Sequence, residues 1–93
     1  MYTKIKYVRV KQFNGIIMFP DWISHDTFKD LNLVSAGFCQ ILDIPQKVIC
    51  YGSSVSLKLD SIPDEDSNFA TKQYFNIYEW KNQFYNYNSV PTA

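Results

Sequence analysis

Histidine and cysteine are scarce in this chain of 93 residues, which has one His and two Cys. A structural zinc site needs three or four thiolate or imidazole ligands, and Cys39 and Cys50 lack the CxxC spacing of such sites. His25 is the only imidazole, so any acid–base catalysis by histidine depends on it. We therefore expect no metal site, no catalytic residue and no cofactor.

The sequence also lacks net charge and long apolar runs. Nine basic residues balance nine acidic ones, and no apolar stretch approaches the ~18 residues that cross a bilayer. The first residues lack the apolar core of a signal peptide. With 46% hydrophobic and 17% aromatic residues, the composition is typical of a globular protein. We expect one small domain over residues 1–93, cytoplasmic and without membrane contact, with residues after about 85 as a flexible tail.

The stretch SAGFCQILDIPQKVICYGSSVSLKL, residues 35–59, predicts a strand, a tight turn and a strand. Pairing about a turn at Ile44 and Pro45 places Cys39 opposite Cys50 on one apolar face. A turn one residue later puts Pro45 at its favoured second position. It shifts the pairing by two and leaves the cysteines as diagonal neighbours on the same face. We expect both cysteines to be reduced core residues, with a disulfide as the alternative.

Asn14 and Gly15 predict a second hairpin nearer the start of the chain. A type I′ turn needs positive φ at both central residues, and Asn-Gly tolerates this best. A two-residue turn at this point pairs Val10 with Phe19. One face of the hairpin is then largely apolar, as a half-buried sheet requires.

Two helices are predicted from capping signals. Ser24 is a typical N-cap and predicts a short helix from His25 to about Leu31, with the imidazole exposed to solvent. The run PDED at residues 63–66 suits the first turn of a longer C-terminal helix. The element order ββαββα indicates an α+β fold, in which two hairpins form an antiparallel sheet and both helices pack on one face.

Three segments between Leu33 and Ser67 carry a family resemblance: VSAGFCQI, CYGSSVSLKL and SIPDEDS. They resemble a group of small uncharacterised bacterial and phage proteins that share SAGF, then YGxSxSL, then a Pro-Glu-Asp-Ser-like helix start. This chain departs from that pattern by an additional acidic residue and by Ser53-Ser54, where a charged residue and Ser are more usual. The resemblance covers about a third to a half of the chain. It implies a compact protein of phage or mobile-element type, and it brings no activity.

Motifs for catalysis and ligand binding are weak. Ser24, His25 and Asp26 are the residue types of a hydrolase triad, but neighbours at a helix start point in different directions and cannot form its relay. The segment Gly52-Ser53-Ser54 lacks the spacing and the Lys of a P-loop. The acids at 60 and 64–66 lack the pattern of a calcium loop, and helix capping explains most of them. We therefore expect that the protein is not an enzyme.

Aromatic residues crowd the C-terminal segment NIYEWKNQFYNYNSVPTA, residues 76–93. One helical face cannot bury all of them, and Tyr and Trp dominate protein interfaces. We expect a non-enzymatic protein-interaction module that docks onto another protein, or onto a second copy as a homodimer. The expected binding residues are Tyr78, Trp80, Phe84 and Tyr85. The open alternative is that this segment wraps over the sheet of its own chain.

Basic residues near the start of the chain suggest a second class of function. Residues 1–20 contain four basic side chains, no acid and several aromatic residues, which together favour a weak single-stranded nucleic-acid binder. The contacts would be Lys4, Lys6, Arg9 and Lys11. An edge strand guarded by lysines explains the same residues. A third alternative is a small enzyme or ligand sensor built on Cys39 and Cys50, which requires an exposed thiol with a lowered pKa.

Overall fold

A computed structural model describes residues 4–75 of the chain. The main strands are Ile5–Val10 (β1), Ile16–Pro20 (β2), Leu33–Asp43 (β3) and Gln46–Tyr51 (β4). They form an antiparallel sheet in the order β2-β1-β3-β4. A 3₁₀ turn, His25–Phe28, lies between β2 and β3. A two-stranded ribbon, Ser53–Ser54 (β5) and Leu59–Asp60 (β6), precedes one α-helix over residues 63–75 (α1), so the fold is α+β.

The segment expected as the first helix is only a 3₁₀ turn, so the predicted order ββαββα with two helices is wrong. Residues 4–75 contain one α-helix. Ser24 does act as the cap, because its side chain accepts a hydrogen bond from the Asp26 N–H. Only His25 and Phe28 of this segment are buried or partly buried. Two such residues bury too little apolar area to stabilise a longer helix.

The two helical elements cover opposite faces of the sheet, so the expectation of one shared face is also wrong. Under α1 lies a core cluster that includes Tyr7, Cys39 and Ala70. On the other face, Val8 and Phe19 belong to a second cluster, which the 3₁₀ turn and the ribbon cover. Strand β1 carries apolar residues on both of its faces, and each face needs a cover. Within residues 4–75 no helix is both long and apolar enough to cross a bilayer.

The β3–β4 hairpin confirms the pairing about Ile44 and Pro45. Cys39 lies opposite Cys50, and Ile41 lies opposite Val48. Both cysteines are buried and unpaired, as expected for reduced core residues.

The first hairpin has the expected strands in a different register. Phe19 pairs with Lys6 instead of Val10, a displacement of four residues. Val10 donates its N–H to the Gly15 carbonyl, so the connection is longer than the predicted two-residue turn. The pairing of β1 with β2 ends after Val10, because the next N–H, that of Lys11, donates to the Asn32 carbonyl. The displacement is even, so each residue keeps its predicted face.

Candidate functional site

The predicted protein-binding residues lie outside the described part of the chain. They are Tyr78, Trp80, Phe84 and Tyr85, and the tail expected after about residue 85 also lies there. The described chain shows the surface at which the aromatic segment begins, because the last described residue of α1 is Phe75.

An open groove of about 310 Å³ lies beside the last described turn of α1. Tyr74 forms one wall and is 44% exposed, and its ring meets that of Phe75 edge to face at 4.9 Å. None of the lining side chains is charged. They are Ile5, Met18, Phe19, Pro20, Ile41 and Tyr74, and together they are called the apolar groove. Apolar surface of this kind gains free energy when a partner removes it from water.

His25 is buried, so the expectation of an exposed imidazole is wrong. Its ring lies edge-on to Phe19 and to Phe38, and Nε2–H donates to the Gly37 carbonyl at 2.9 Å. Burial lowers the pKa of His25 below its usual value, which favours the neutral ring. The Ser24 hydroxyl caps the 3₁₀ turn. The fold thus uses these side chains for structure.

The two cysteines do not meet the requirement of the cysteine-based alternative. Burial raises the pKa of Cys39 to about 11 and that of Cys50 to about 12, where the neighbouring thiol adds to the effect. A nucleophilic or redox-sensing cysteine needs an accessible thiolate near neutral pH. Both thiols stay protonated at neutral pH.

Arg9 is part of a buried polar network under α1, so its predicted contact with nucleic acid is wrong. Its guanidinium is 2.6 Å from Glu65 and 3.3 Å from Asp66, and it lies over the Phe69 ring at 5.0 Å. The residue is 2% exposed, which leaves no path to a phosphate. Side chains alternate between the two faces of β1, so Arg9 points to the α1 face whereas Lys6 points to the opposite face.

Asp66 is the centre of this buried network. Its carboxylate accepts hydrogen bonds from the hydroxyls of Tyr7 and Ser35 and from the N–H of Ile62. Burial and the bond to Asp66 raise the pKa of Tyr7, so the phenol stays protonated. The sequence predicted a capping role for this acid, and the Ile62 bond serves that role. The contact with Tyr7, 59 positions away, carries no sequence signal. No group of three potential metal ligands occurs in residues 4–75.

Side chains of α1 also occupy the outer edges of the sheet. On β4, Thr71 Oγ1 accepts from the Val48 N–H at 2.9 Å and donates to the Val48 carbonyl at 3.2 Å. On β2, Gln73 accepts from the Ile16 N–H at 2.7 Å and donates to the Ile16 carbonyl at 2.6 Å. These backbone groups are therefore not available to an added strand.

The predicted basic residues separate in the fold. Lys4 is exposed and places its Nζ 4.9 Å from the centre of the Phe38 ring. Lys6 lies on the same face and donates one N–H to the Ile23 carbonyl at 2.9 Å. Lys11 is exposed in the loop after β1. The structure thus brings Lys4 and Lys6 together and leaves Arg9 and Lys11 elsewhere.

Two aromatic residues that sequence reasoning missed stand beside these lysines. Phe38 on β3 pairs with Tyr51 on β4, with ring centroids 6.0 Å apart and planes inclined by 30°. On its other side Phe38 pairs with Lys6. The predicted hairpin register contained this signal, since the residue before Cys39 must pair with the residue after Cys50. Lys4, Lys6, Phe38 and Tyr51 are called the aromatic–lysine patch.

Comparison of this chain with protein-family models, with curated proteins and with solved structures finds no match. The chemistry of the apolar groove and of the aromatic–lysine patch is therefore the basis for assigning a function.

Proposed function

We propose that this protein is a non-enzymatic interaction module that docks onto another protein. The binding surface combines the apolar groove with the aromatic side chains Tyr78, Trp80, Phe84 and Tyr85. The groove is the observation that carries the proposal, because six residues without a charged side chain line a depression that is open to water. It lies at the point where the described chain leads into the aromatic segment.

The capped sheet edges indicate how a partner docks. Strand addition needs unpaired backbone groups, and Thr71 and Gln73 occupy those of Val48 and Ile16. A partner therefore contributes side chains to the groove. Aromatic residues suit this role because they bury a large area and lose little rotamer entropy.

A second copy of the chain is the partner that the composition favours. Residues 76–93 carry aromatic side chains of the kind that fill an apolar groove, and the segment follows Phe75 directly. Two copies that exchange these segments would bury both grooves at once, as the symmetric interface of a homodimer allows.

Structural roles of the reactive side chains support a non-enzymatic function. His25 is buried between aromatic rings, and the thiols of Cys39 and Cys50 are held protonated by burial. Each of these side chains has a packing role that accounts for its presence.

Solution mass tests the proposal. We expect the mass of the full-length protein, measured by light scattering, to rise with concentration from that of a monomer towards that of a dimer. Tyr74→Ser and the double variant Trp80→Ala, Phe84→Ala should both remain monomeric. Phe13→Ala is the matched control, because this ring is 72% exposed in the loop beyond the other end of β1. It should associate as the wild type does.

A single-tryptophan protein separates self-association from packing within one chain. Trp22→Phe leaves Trp80 as the only tryptophan. Blue-shifted emission that develops with concentration, together with the dimer mass, supports exchange between copies. Blue-shifted emission in a monomer at every concentration means that the segment covers the groove of its own chain. That result, or a dimer that survives both Tyr74→Ser and the double variant Trp80→Ala, Phe84→Ala, contradicts the proposed interface.

A further inference from the structure

We propose that the aromatic–lysine patch binds single-stranded nucleic acid. Bases stack on Phe38 and Tyr51, and Lys4 and Lys6 contact the phosphates. This function goes beyond the protein docking proposed above and uses residues that do not line the apolar groove. The patch lies on the sheet face opposite α1. It also replaces the site expected from the sequence, which included Arg9 and Lys11.

Part of this face is open to water. The 3₁₀ turn and the ribbon cover the part that holds Val8 and Ala36, both fully buried. Beyond them, Gln40 and Tyr51 are exposed and Phe38 is half-buried. The ring of Tyr51 is therefore accessible on this part of the sheet, and the ring of Phe38 beside it is partly accessible.

The four main strands carry lysines and no acidic side chain on this face, while the ribbon that covers part of it ends in the exposed Asp60. Lysine is the only charged residue type that the four strands place here, with Lys6 on β1 and Lys47 on β4. Lys47 lines a cleft that also contains Asp64, so we do not assign it a phosphate. In residues 4–75, neither Lys4 nor Lys6 has a carboxylate within ion-pair distance. Lys4 is exposed, and Lys6 is partly exposed and uses one of its three N–H donors on the Ile23 carbonyl, which leaves two for a phosphate.

The spacing of the patch suits a nucleotide strand. Neighbouring strands lie about 4.8 Å apart, so Lys6, Phe38 and Tyr51 form a continuous row across three strands. In the free protein the Lys4 ammonium lies over the Phe38 ring. A base that stacks on Phe38 displaces the Lys4 ammonium towards the adjacent phosphate. The ammonium then exchanges its cation–π contact for an ionic contact with that phosphate. Aromatic rings on an open antiparallel sheet recognise unpaired bases in this way, whereas a duplex keeps its bases stacked inside.

The affinity for the single strand should be weak, because the chain has no net charge. It should decrease with salt concentration, because the lysines contact phosphates. Two phosphate contacts with a single strand give a slope of about −1.4 for log K against log salt concentration, at about 0.7 per contact. An acidic peptide would satisfy the lysines and respond to salt as well, but it would gain nothing from the two rings. The dependence on ring stacking distinguishes the two ligands.

Fluorescence anisotropy with the full-length protein tests the proposal. The probe is a labelled oligothymidylate of about 12 nucleotides, compared with a duplex of the same length and titrated from roughly 50 mM to roughly 200 mM salt. Binding to the single strand should be tighter than to the duplex. Absence of binding to the single strand at the lowest salt concentration, or equal binding to both probes, would overturn the proposal.

Substitutions assign the binding to the patch. Tyr51→Ala should weaken binding at least about fivefold, while Tyr51→Phe retains the stacking ring and the affinity. Lys4→Gln should reduce the salt slope by about 0.7. The controls are Lys11→Gln and Phe13→Ala, an exposed lysine and an exposed ring away from the patch. Both should bind as the wild type does. Circular dichroism verifies that each variant is folded.

Two further outcomes would contradict the assignment. Unchanged affinity in Tyr51→Ala would show that the rings do not stack on the bases. If the oligonucleotide fails to bind and Tyr51→Ala lowers the mass seen by light scattering, the patch is a contact between protein chains. Loss of self-association in Tyr74→Ser leaves the nucleic-acid result unaffected, so failure of one proposal is distinguishable from failure of the other.

Discussion

At the scale of single residues, the ion pair under α1 joins the first turn of the helix to the sheet. Arg9 is buried, and its Nε and Nη1 have no hydrogen-bond partner in the described part of the chain. The charge of Asp66 therefore compensates for the lost solvation of the guanidinium. The same carboxylate holds the hydroxyls of Tyr7 and Ser35. Loss of this one charge would leave a cation buried without a buried counter-ion.

Asp66→Asn should lower the free energy of unfolding by about 3 to 5 kcal/mol, the usual effect of removing one partner of a buried pair. Urea denaturation measures it. Glu65→Gln is the matched control, because this carboxylate also contacts Arg9 but its side chain is 56% exposed. The control should cost less than about 1 kcal/mol. Equal effects of the two variants would contradict the central role of Asp66.

His25 should make the protein sensitive to mild acid. Its pKa in the folded state is lowered by burial, so the unfolded chain, with a pKa near 6.5, binds the proton more tightly. The contribution of neutral His25 to the free energy of unfolding is complete above pH 6.5, the pKa in the unfolded chain. It decreases as the pH falls through 6.5 towards the lower pKa of the folded state. Urea denaturation between about pH 7.5 and about pH 5.5 measures the loss, in a window above most carboxyl pKa values. His25→Gln should have a flatter profile, and an unchanged profile would contradict the assignment.

The thiols of Cys39 and Cys50 should resist alkylation in the native protein. Their pKa values of about 11 and about 12 leave almost no thiolate at neutral pH, and both side chains are buried. Mass spectrometry after treatment with iodoacetamide should show no label without denaturant and two labels in urea. Rapid labelling of either native thiol would revive the cysteine-based alternative.

At the scale of elements, α1 covers one face of the sheet and also contacts both of its edge strands. Its polar side chains bond to the backbone of the two edge strands, through Thr71 on β4 and Gln73 on β2. Exposed edges commonly pair with other chains, and hydroxyl and amide side chains satisfy the same groups without a strand. The helix therefore occupies the backbone groups of Val48 and Ile16 that an added strand would need.

Thr71→Val should destabilise the protein by about 1 to 3 kcal/mol, because it leaves the N–H and carbonyl of buried Val48 without partners. Thr71→Ser keeps the hydroxyl and is the matched control. Hydrogen exchange at the Val48 amide should be faster in Thr71→Val than in Thr71→Ser. Equal exchange in the two variants would show that the hydroxyl does not protect this edge.

At the scale of the whole molecule, the described chain has two surfaces of different chemistry that share no residue. The apolar groove includes Ile5 and Ile41, which belong to the α1 side of the core, and it extends to Phe19, which belongs to the cluster on the other face. The aromatic–lysine patch lies on the other side, where Phe38 and Tyr51 face away from α1.

The two surfaces should respond independently to substitution. Tyr51→Ala should weaken binding to the oligonucleotide and leave the solution mass unchanged. Tyr74→Ser should lower the solution mass to that of a monomer and leave binding to the oligonucleotide unchanged. The double variant should show the sum of the two effects, as expected for sites without shared contacts. Anisotropy and light scattering on the same samples measure both. A change of both properties in either single variant would mean that the surfaces are one site.

Local sequence signals predicted several elements correctly. The turn at Ile44 and Pro45 lies between two alternating strands, so the residues near it determine which partners meet. The N-cap at Ser24 and the acidic start of α1 depend only on residues within one helical turn. The proposed binding residues were less predictable. Phe38 and Tyr51 have no local sequence signal for binding, because only the tertiary structure shows that their part of the sheet face is open.

By itself, the sequence determined the α+β class, the shared sheet face of Cys39 and Cys50 and the start of α1, because each depends on residues that are close in the chain. Only the tertiary structure decided which faces are covered, that Arg9 and His25 are buried, and that Lys4 stands beside Phe38. Those outcomes depend on contacts between distant segments, such as the bond that joins Tyr7 to Asp66 across 59 positions. Periodicity and capping act over a few residues, whereas the burial of a charge depends on which element packs above it.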